Sequence, residues 1–450
     1  MITKKINQFF SGHQRSVKAK KNIIGSLFLK GTSILISLVL VPLTIGYLSP
    51  TKYGIWITLT SVIAWFNFFD IGLGNGLRNK FATAKAAGDT KLVQIYVSTT
   101  YAIISIISVI LFVLFFIINQ FLDWGAILNT STDLIELERL VFIVFSVFCL
   151  QFVIKSINVV FVADQKPAMS SLINTLGSLV SLLAIIVLLK TTEGSLLYLG
   201  ASFSIINLVI PFLAGLWFFN TSYKHYKPSF KFIDFSYAKE LLSLGTRFFI
   251  MQGAALVVFM TDNIIISQVS GPQYVTPYNI AFKYFGVITI FFTIVTSPYW
   301  SAFTEAYIKK EMGWIKSVMK KSIGLWLAFV GVTLVMLFLS DFVYELWLGT
   351  EVVIPFKLSL VMALYVTMAS SIMIFANFLS GVGKVKLSVF HSIFVGIINV
   401  PLSIFFAKNL ELGSIGVMLA TCLGILISMV FQPIQCYKIV RGTAKGLWNQ

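Results

Sequence analysis

Apolar stretches of roughly 20 residues, the length a helix needs to cross about 30 Å of hydrocarbon, recur along the whole chain with short polar breaks between them. They predict spans near 23–48, 55–78, 93–119, 140–163, 170–189, 196–219, 241–268, 276–300, 322–340, 354–380, 386–407 and 413–436. The breaks SPTKYG, DQKPAM and SGPQYVTP carry Pro and Gly and predict tight helical hairpins. The expected fold is therefore an all-α membrane protein of about twelve transmembrane helices.

Composition agrees. Of 450 residues, 57% are hydrophobic and only 11% charged, too few polar side chains to cover a water-facing globule of this size. A net charge of +17 would suggest nucleic acid in a soluble protein, but here the basic residues follow the alternation of loops. One set of connections and termini carries 25 Lys and Arg and the opposite set only 5, which predicts both termini in the cytoplasm and excludes nucleic acid as the partner. The basic but polar segment 1–22 precedes an apolar run too long for a signal-peptide core, so it is expected to remain as a cytoplasmic surface segment.

Internal repetition suggests two halves. LKGTS around Lys30 echoes LGTRF around Gly245, and Phe161 and Ser170 echo Phe378 and Ser388, at offsets of 214, 217 and 218. A duplicated six-span unit predicts two pseudo-symmetric six-helix bundles, 23–219 and 241–437, with a cytoplasmic linker at 220–240, a tail at 438–450 and a central cleft as the translocation path.

Six ionisable residues fall well inside the spans: Lys30, Asp70, Lys155, Arg247, Asp262 and Lys283. A charge at a helix centre costs about 2.5–3.5 kcal/mol, so each needs a partner, a route to the headgroups or a watery cavity. Asp262 and Lys283 lie at similar depth on one hairpin, either as a structural pair or with Asp262 coupling an ion. Lys30 and Asp70 are a second candidate pair. Lys155 and Arg247 are then cations in excess, which either snorkel to headgroups or face the cleft as a site for an anionic group such as phosphate.

The sequence DIGLGNGLRNK, from Asp70 to Lys80, has the glycine spacing of a nucleotide loop but no preceding strand, so that reading fails. Gly72, Gly74 and Gly76 serve either close helix packing or a bend, or a glycine-rich end that lets Asn75, Arg78 and Asn79 approach a phosphate. His13, His225 and His391 lack metal spacing, and Cys149, Cys422 and Cys436 form no ligand or disulfide pattern, so neither metal nor cofactor is expected.

The first-hairpin sequence YGIWITLTSVIAWFNFFDIGLGNGLRNK, the two six-span halves and the basic central loop resemble the O-antigen and capsular polysaccharide flippases, in the superfamily that includes multidrug and toxin extrusion proteins. The resemblance implies a non-enzymatic carrier. Its substrate would be an undecaprenyl-diphosphate-linked oligosaccharide, moved from the cytoplasmic to the outer leaflet of the bacterial inner membrane by alternating access with cation antiport. It also implies the polysaccharide polymerase and chain-length machinery as partners beside the membrane lipids. By position, Asp70, Gly72 and Gly76 match the motif of that first hairpin, and Lys30, Lys155 and Arg247 would supply the cationic cavity. The rival readings are a multidrug exporter, which needs a net acidic cavity, and a peptidoglycan-precursor flippase, which usually has two further helices. A membrane glycosyltransferase or polymerase needs an outer loop larger than 120–139.

Overall fold

The computed structural model describes residues 14–70, 72–131, 133–164, 166–243, 246–296 and 298–450. Among them every regular element is helical. Among the described residues, ten helices are long and apolar enough to span a membrane, and eleven if the broken pair Pro50–Asp70 and Leu73–Lys85 counts as one span. The sequence predicts twelve. The span predicted at 55–78 is the one that breaks: the helix ends at Ala64, a tight 3₁₀ segment runs over Trp65–Asp70, and a new helix starts at Leu73. The span predicted at 241–268 falls on helix Thr246–Val269, part of whose side chains lie outside the described residues.

Helix Thr90–Ile118 shows why such a chain folds. Ile106, Val109, Ile110, Val113, Leu114 and Ile117 are exposed and recur at three- and four-residue steps, making one lipid-facing stripe. The opposite face buries Ile104, Ser108, Leu111 and Phe115. Both faces are apolar, and the inner one is distinguished by a small hydroxyl whose Oγ donates to the Cys149 carbonyl at 2.6 Å. Small side chains and interhelical hydrogen bonds, rather than a hydrophobic contrast, select the packed face in lipid.

The chain forms two compact units. The first comprises the described residues within 14–49, 66–125 and 131–246. Within it, helix Gln14–Leu48 runs beside helix Pro167–Thr191. Thr175 Oγ1 donates to the Leu29 carbonyl at 3.0 Å, and the Tyr47 hydroxyl meets Thr192 Oγ1 at 2.8 Å. A core of Leu73, Leu77, Phe81, Val93, Phe161 and Tyr223 ties the helices of this unit together. The basic stretch 220–240 belongs wholly to this unit, because it is bonded along helix Thr90–Ile118: the amides of Ser229 and Asp234 donate to Ser98 Oγ and Thr99 Oγ1 at 3.1 and 3.0 Å.

The second unit comprises residues 50–65, 126–130 and 247–450. Its middle is helix Phe356–Gly381, whose Phe378 packs edge-on to Phe303 with ring centroids 5.4 Å apart. Helix Pro50–Ala64 packs here rather than with the helix that precedes it in sequence. Gly54 lies so close to the Pro272 carbonyl that a Cβ would overlap it, and Thr276 Oγ1 donates to the Pro50 carbonyl at 2.5 Å. Each compact unit is thus assembled from separate segments of the chain.

Candidate functional site

The glycine-rich motif turns out to be a packing device. Asp70 accepts from the Gly74 amide through both carboxylate oxygens, at 3.3 and 3.2 Å, which satisfies one orphan donor where helix Leu73–Ala86 begins. Gly72 has φ 79°, a left-handed backbone that glycine adopts without a Cβ penalty. At Gly76 a Cβ would overlap the Leu241 carbonyl, so the helix rests backbone to backbone on helix Ala238–Ser243. Leu73, Leu77, Phe81 and Ala84 are buried on that helix, whereas Asn75, Arg78 and Asn79 are exposed together on another face.

Lys30 and Lys155 are also exposed. Lys155 sits where helix Leu134–Ile154 gives way to helix Ser156–Ala163. Among the described residues, Lys30, Arg78 and Lys155 take part in none of the four ion pairs, and Lys30 does not pair with Asp70. Arg247 begins its helix next to Thr246, but its side chain lies outside the described residues.

Two acids on the same unit that the sequence reading passed over are heavily engaged. Glu240 takes Lys80 and accepts from the Tyr96 hydroxyl at 2.9 Å, and the Lys80 bond holds its carboxyl below the ordinary glutamate value. Asp164 takes Lys85, Lys166 at 2.7 Å and the Tyr223 hydroxyl at 2.7 Å. Burial alone would raise its carboxyl, but the bonds from Lys166, Lys85 and Tyr223 outweigh that and leave it below the ordinary value.

The second unit holds the other charged position. Asp262 is 1% exposed and borders a cavity of about 330 Å³, together with Ser61, Asn263, Tyr278, Asn279 and Phe282. The Tyr278 hydroxyl donates to Asp262 Oδ2 at 2.6 Å, while Oδ1 has no hydrogen-bond partner among the described residues. Beside it, Asn279 Nδ2 donates to Asn263 Oδ1 at 2.7 Å, and Asn263 Nδ2 donates to Ser61 Oγ at 2.8 Å. Of the two roles left open for Asp262, the ion pair with Lys283 is not among the ion pairs of the described residues. Half-buried Lys283 donates instead to the Tyr53 hydroxyl at 3.2 Å. A tyrosine hydroxyl one hairpin away can satisfy a carboxylate without the cost of burying a second full charge. No group of three or more His, Cys, Asp or Glu able to hold a metal occurs among the described residues.

Asn263, Tyr278, Asn279 and Ser61 carry no charge at neutral pH, so the cost of a charge in a span does not mark them. A signal existed in the adjacent polar pairs Asp262-Asn263 and Tyr278-Asn279 inside apolar runs, 16 residues apart. The hairpin between them brings the first members together and the second members together. Chemically, the arrangement offers a buried carboxylate with one free oxygen and neighbouring amide and hydroxyl dipoles, a setting suited to a proton or a small hard cation.

Residues 19–304 match the polysaccharide biosynthesis protein family. The chain belongs to that family. It is 24% identical over 314 residues to a protein named as an O-antigen transporter from Salmonella typhi, covering 69% of this chain and 71% of the relative. It is 25% identical over 366 residues to one named as an O-antigen export protein from Yersinia pseudotuberculosis, covering 79% and 81%. Its fold is similar to the inward-facing conformation of a multidrug resistance transporter of the MATE family, with a TM-score of 0.77, 14% identity and coverage of 94% of this chain and 100% of that one. This member of the polysaccharide biosynthesis family is accordingly a multi-pass membrane transport protein and not an enzyme.

Proposed function

We propose that this protein is a flippase that carries an undecaprenyl-diphosphate-linked oligosaccharide, an O-antigen or capsule repeat unit, from the cytoplasmic to the outer leaflet of the bacterial inner membrane. The names of its relatives support the glycan. The observation that carries the anionic diphosphate is the set of exposed cations in the first unit, Lys30, Arg78 and Lys155, which have no acid partner among the described residues. Arg78 shares its helix face with Asn75, so a bidentate guanidinium and an amide donor project together. Arg247, which belongs to the second unit, is a further candidate by its depth in the sequence alone. A drug exporter handling cations would place acids at such positions. Flipping unaided is slow because a diphosphate and its sugars must be desolvated, and offsetting charges lower that barrier.

Alternating access driven by cation antiport is the mechanism that fits, with Asp262 as the coupling carboxylate. A group whose bound and empty forms differ in charge biases one conformational state over another. Its Oδ1, unpartnered among the described residues, and the adjacent cavity support that role; Lys283 is hydrogen-bonded to Tyr53.

The test is transport of lipid-linked repeat units in cells lacking their own flippase, with membrane levels of each variant measured in parallel. Asp262→Asn keeps an acceptor for Tyr278 but removes the ionisable group, and is expected to lower transport about tenfold at unchanged membrane level. Arg78→Ala, Lys155→Ala and Arg247→Ala are each expected to lower transport as well. Full activity in all three cation variants would defeat the anionic-substrate reading, and full activity in Asp262→Asn would defeat the coupling role alone.

A further inference from the structure

A second cavity, of about 250 Å³, opens in the first unit at the end of helix Leu196–Asn220. Its walls are apolar: Tyr101, Ile154, Phe212 and Phe219 line it, with the Tyr101 and Phe219 rings edge to face at 6.0 Å. Gly215 leaves the groove open, since a Cβ there would meet nothing within 4 Å. One cation stands at its rim. Lys227 Nζ donates to Asn220 Oδ1 at 2.9 Å, and the Lys227 carbonyl accepts from Gln94 Nε2 at 2.9 Å. The lysine is therefore fixed at both its backbone and its head.

Only one of the three ammonium donors is used by that bond, and none of the ion pairs among the described residues involves Lys227. Exposed Lys224 and Lys231 flank it in the chain. Asp234, the acid of this stretch, accepts from the amide and hydroxyl of Ser236 at Oδ1 and takes part in none of those ion pairs. On the same helix end, Leu213, Leu216 and Trp217 are exposed, as befits a surface that meets lipid, with the tryptophan at the level of the headgroups.

From this pairing of an apolar slot with a tethered, unneutralised ammonium, we propose that the first unit holds a binding site for an anionic glycerophospholipid of the leaflet on the linker's side. An acyl chain lies over Gly215 between Phe212 and Phe219, and the phosphate accepts from Lys227. A small soluble anion would find the charge but leave the slot empty. A zwitterionic lipid would fill the slot but bring its own cation to Lys227. The site shares no residue with the set assigned to the glycan carrier, although Ile154 adjoins Lys155, and its test reads lipid retention instead of transport, so it stands or falls independently of that reading.

The experiment is native mass spectrometry of the full-length protein in detergent, titrated with phosphatidylglycerol, phosphatidylcholine or glycerol 3-phosphate. The wild type is expected to retain phosphatidylglycerol about fivefold better than phosphatidylcholine, the preference one lysine confers near an anionic surface. Lys227→Ala should remove that preference while leaving phosphatidylcholine binding unchanged. Gly215→Leu should fold, because its side chain enters open space, and should lose both lipids. Glycerol 3-phosphate should displace neither. Unchanged retention of phosphatidylglycerol in both variants would overturn the site, and displacement by glycerol 3-phosphate would overturn the lipid as its occupant.

Discussion

At Gly76 the difference between a motif and its meaning comes down to one missing atom. Its neighbours in sequence leave both close packing and an approach to phosphate open, and the helix there lies directly on the Leu241 carbonyl. Gly76→Ala is expected to destabilise the protein by about 1–3 kcal/mol, the cost of forcing a methyl group into a filled contact. Gly31→Ala, inside helix Gln14–Leu48 where a Cβ would meet nothing within 4 Å, should not destabilise the protein and is expected to gain about 0.5–1 kcal/mol. Thermal unfolding in detergent compares the two, and equal midpoints would refute the packing role. Asp262 teaches the converse. Its importance was legible because an acid in an apolar run demands compensation, but its partner was not. Lys283 satisfied the charge rule, and Tyr278 satisfies the geometry.

Among elements, the linker 220–240 and the helix after the broken span act as a single assembly, in which short polar clusters add to the apolar core that Leu73, Leu77, Phe81 and Tyr223 share. Asp164 illustrates this, with its side chain 7% exposed between Lys85 and Lys166 at 39% and 30%. Its carboxyl titrates below the ordinary value of 3.8 in the folded protein, so the stability it contributes is fully present above that value and is lost as pH falls through the lower, folded-state value. Asp164→Asn is expected to cost about 1 kcal/mol near neutral pH, since both ammonium groups keep contact with water. It should also flatten the fall in unfolding midpoint below pH 4. A variant with the same acid limb as the wild type would show that other carboxylates control it. Sequence patterns placed Asp164 at a loop but offered nothing to join it to Tyr223, because nothing local in the chain encodes that approach.

For the molecule as a whole, the asymmetry of Lys and Arg makes a topological prediction: reporters fused to either end should be active only in the cytoplasm, fluorescent proteins folding there and periplasmic phosphatase fusions staying silent. An active phosphatase at one terminus would mean an odd number of crossings and would revise the count of twelve. The sequence by itself determined the helical membrane class and most of the span positions, because twenty apolar residues in a row have few other stable fates. It also marked the charged positions that need an explanation. Tertiary structure alone decided which face of each helix turns inward, that helix Pro50–Ala64 packs in the second unit, and that Asp262 looks to Tyr278. The reason is physical. In water the polar stripe of a helix announces its outer face, whereas in lipid both faces are apolar, and the choice falls to small residues and single hydrogen bonds whose partners lie far away in the chain.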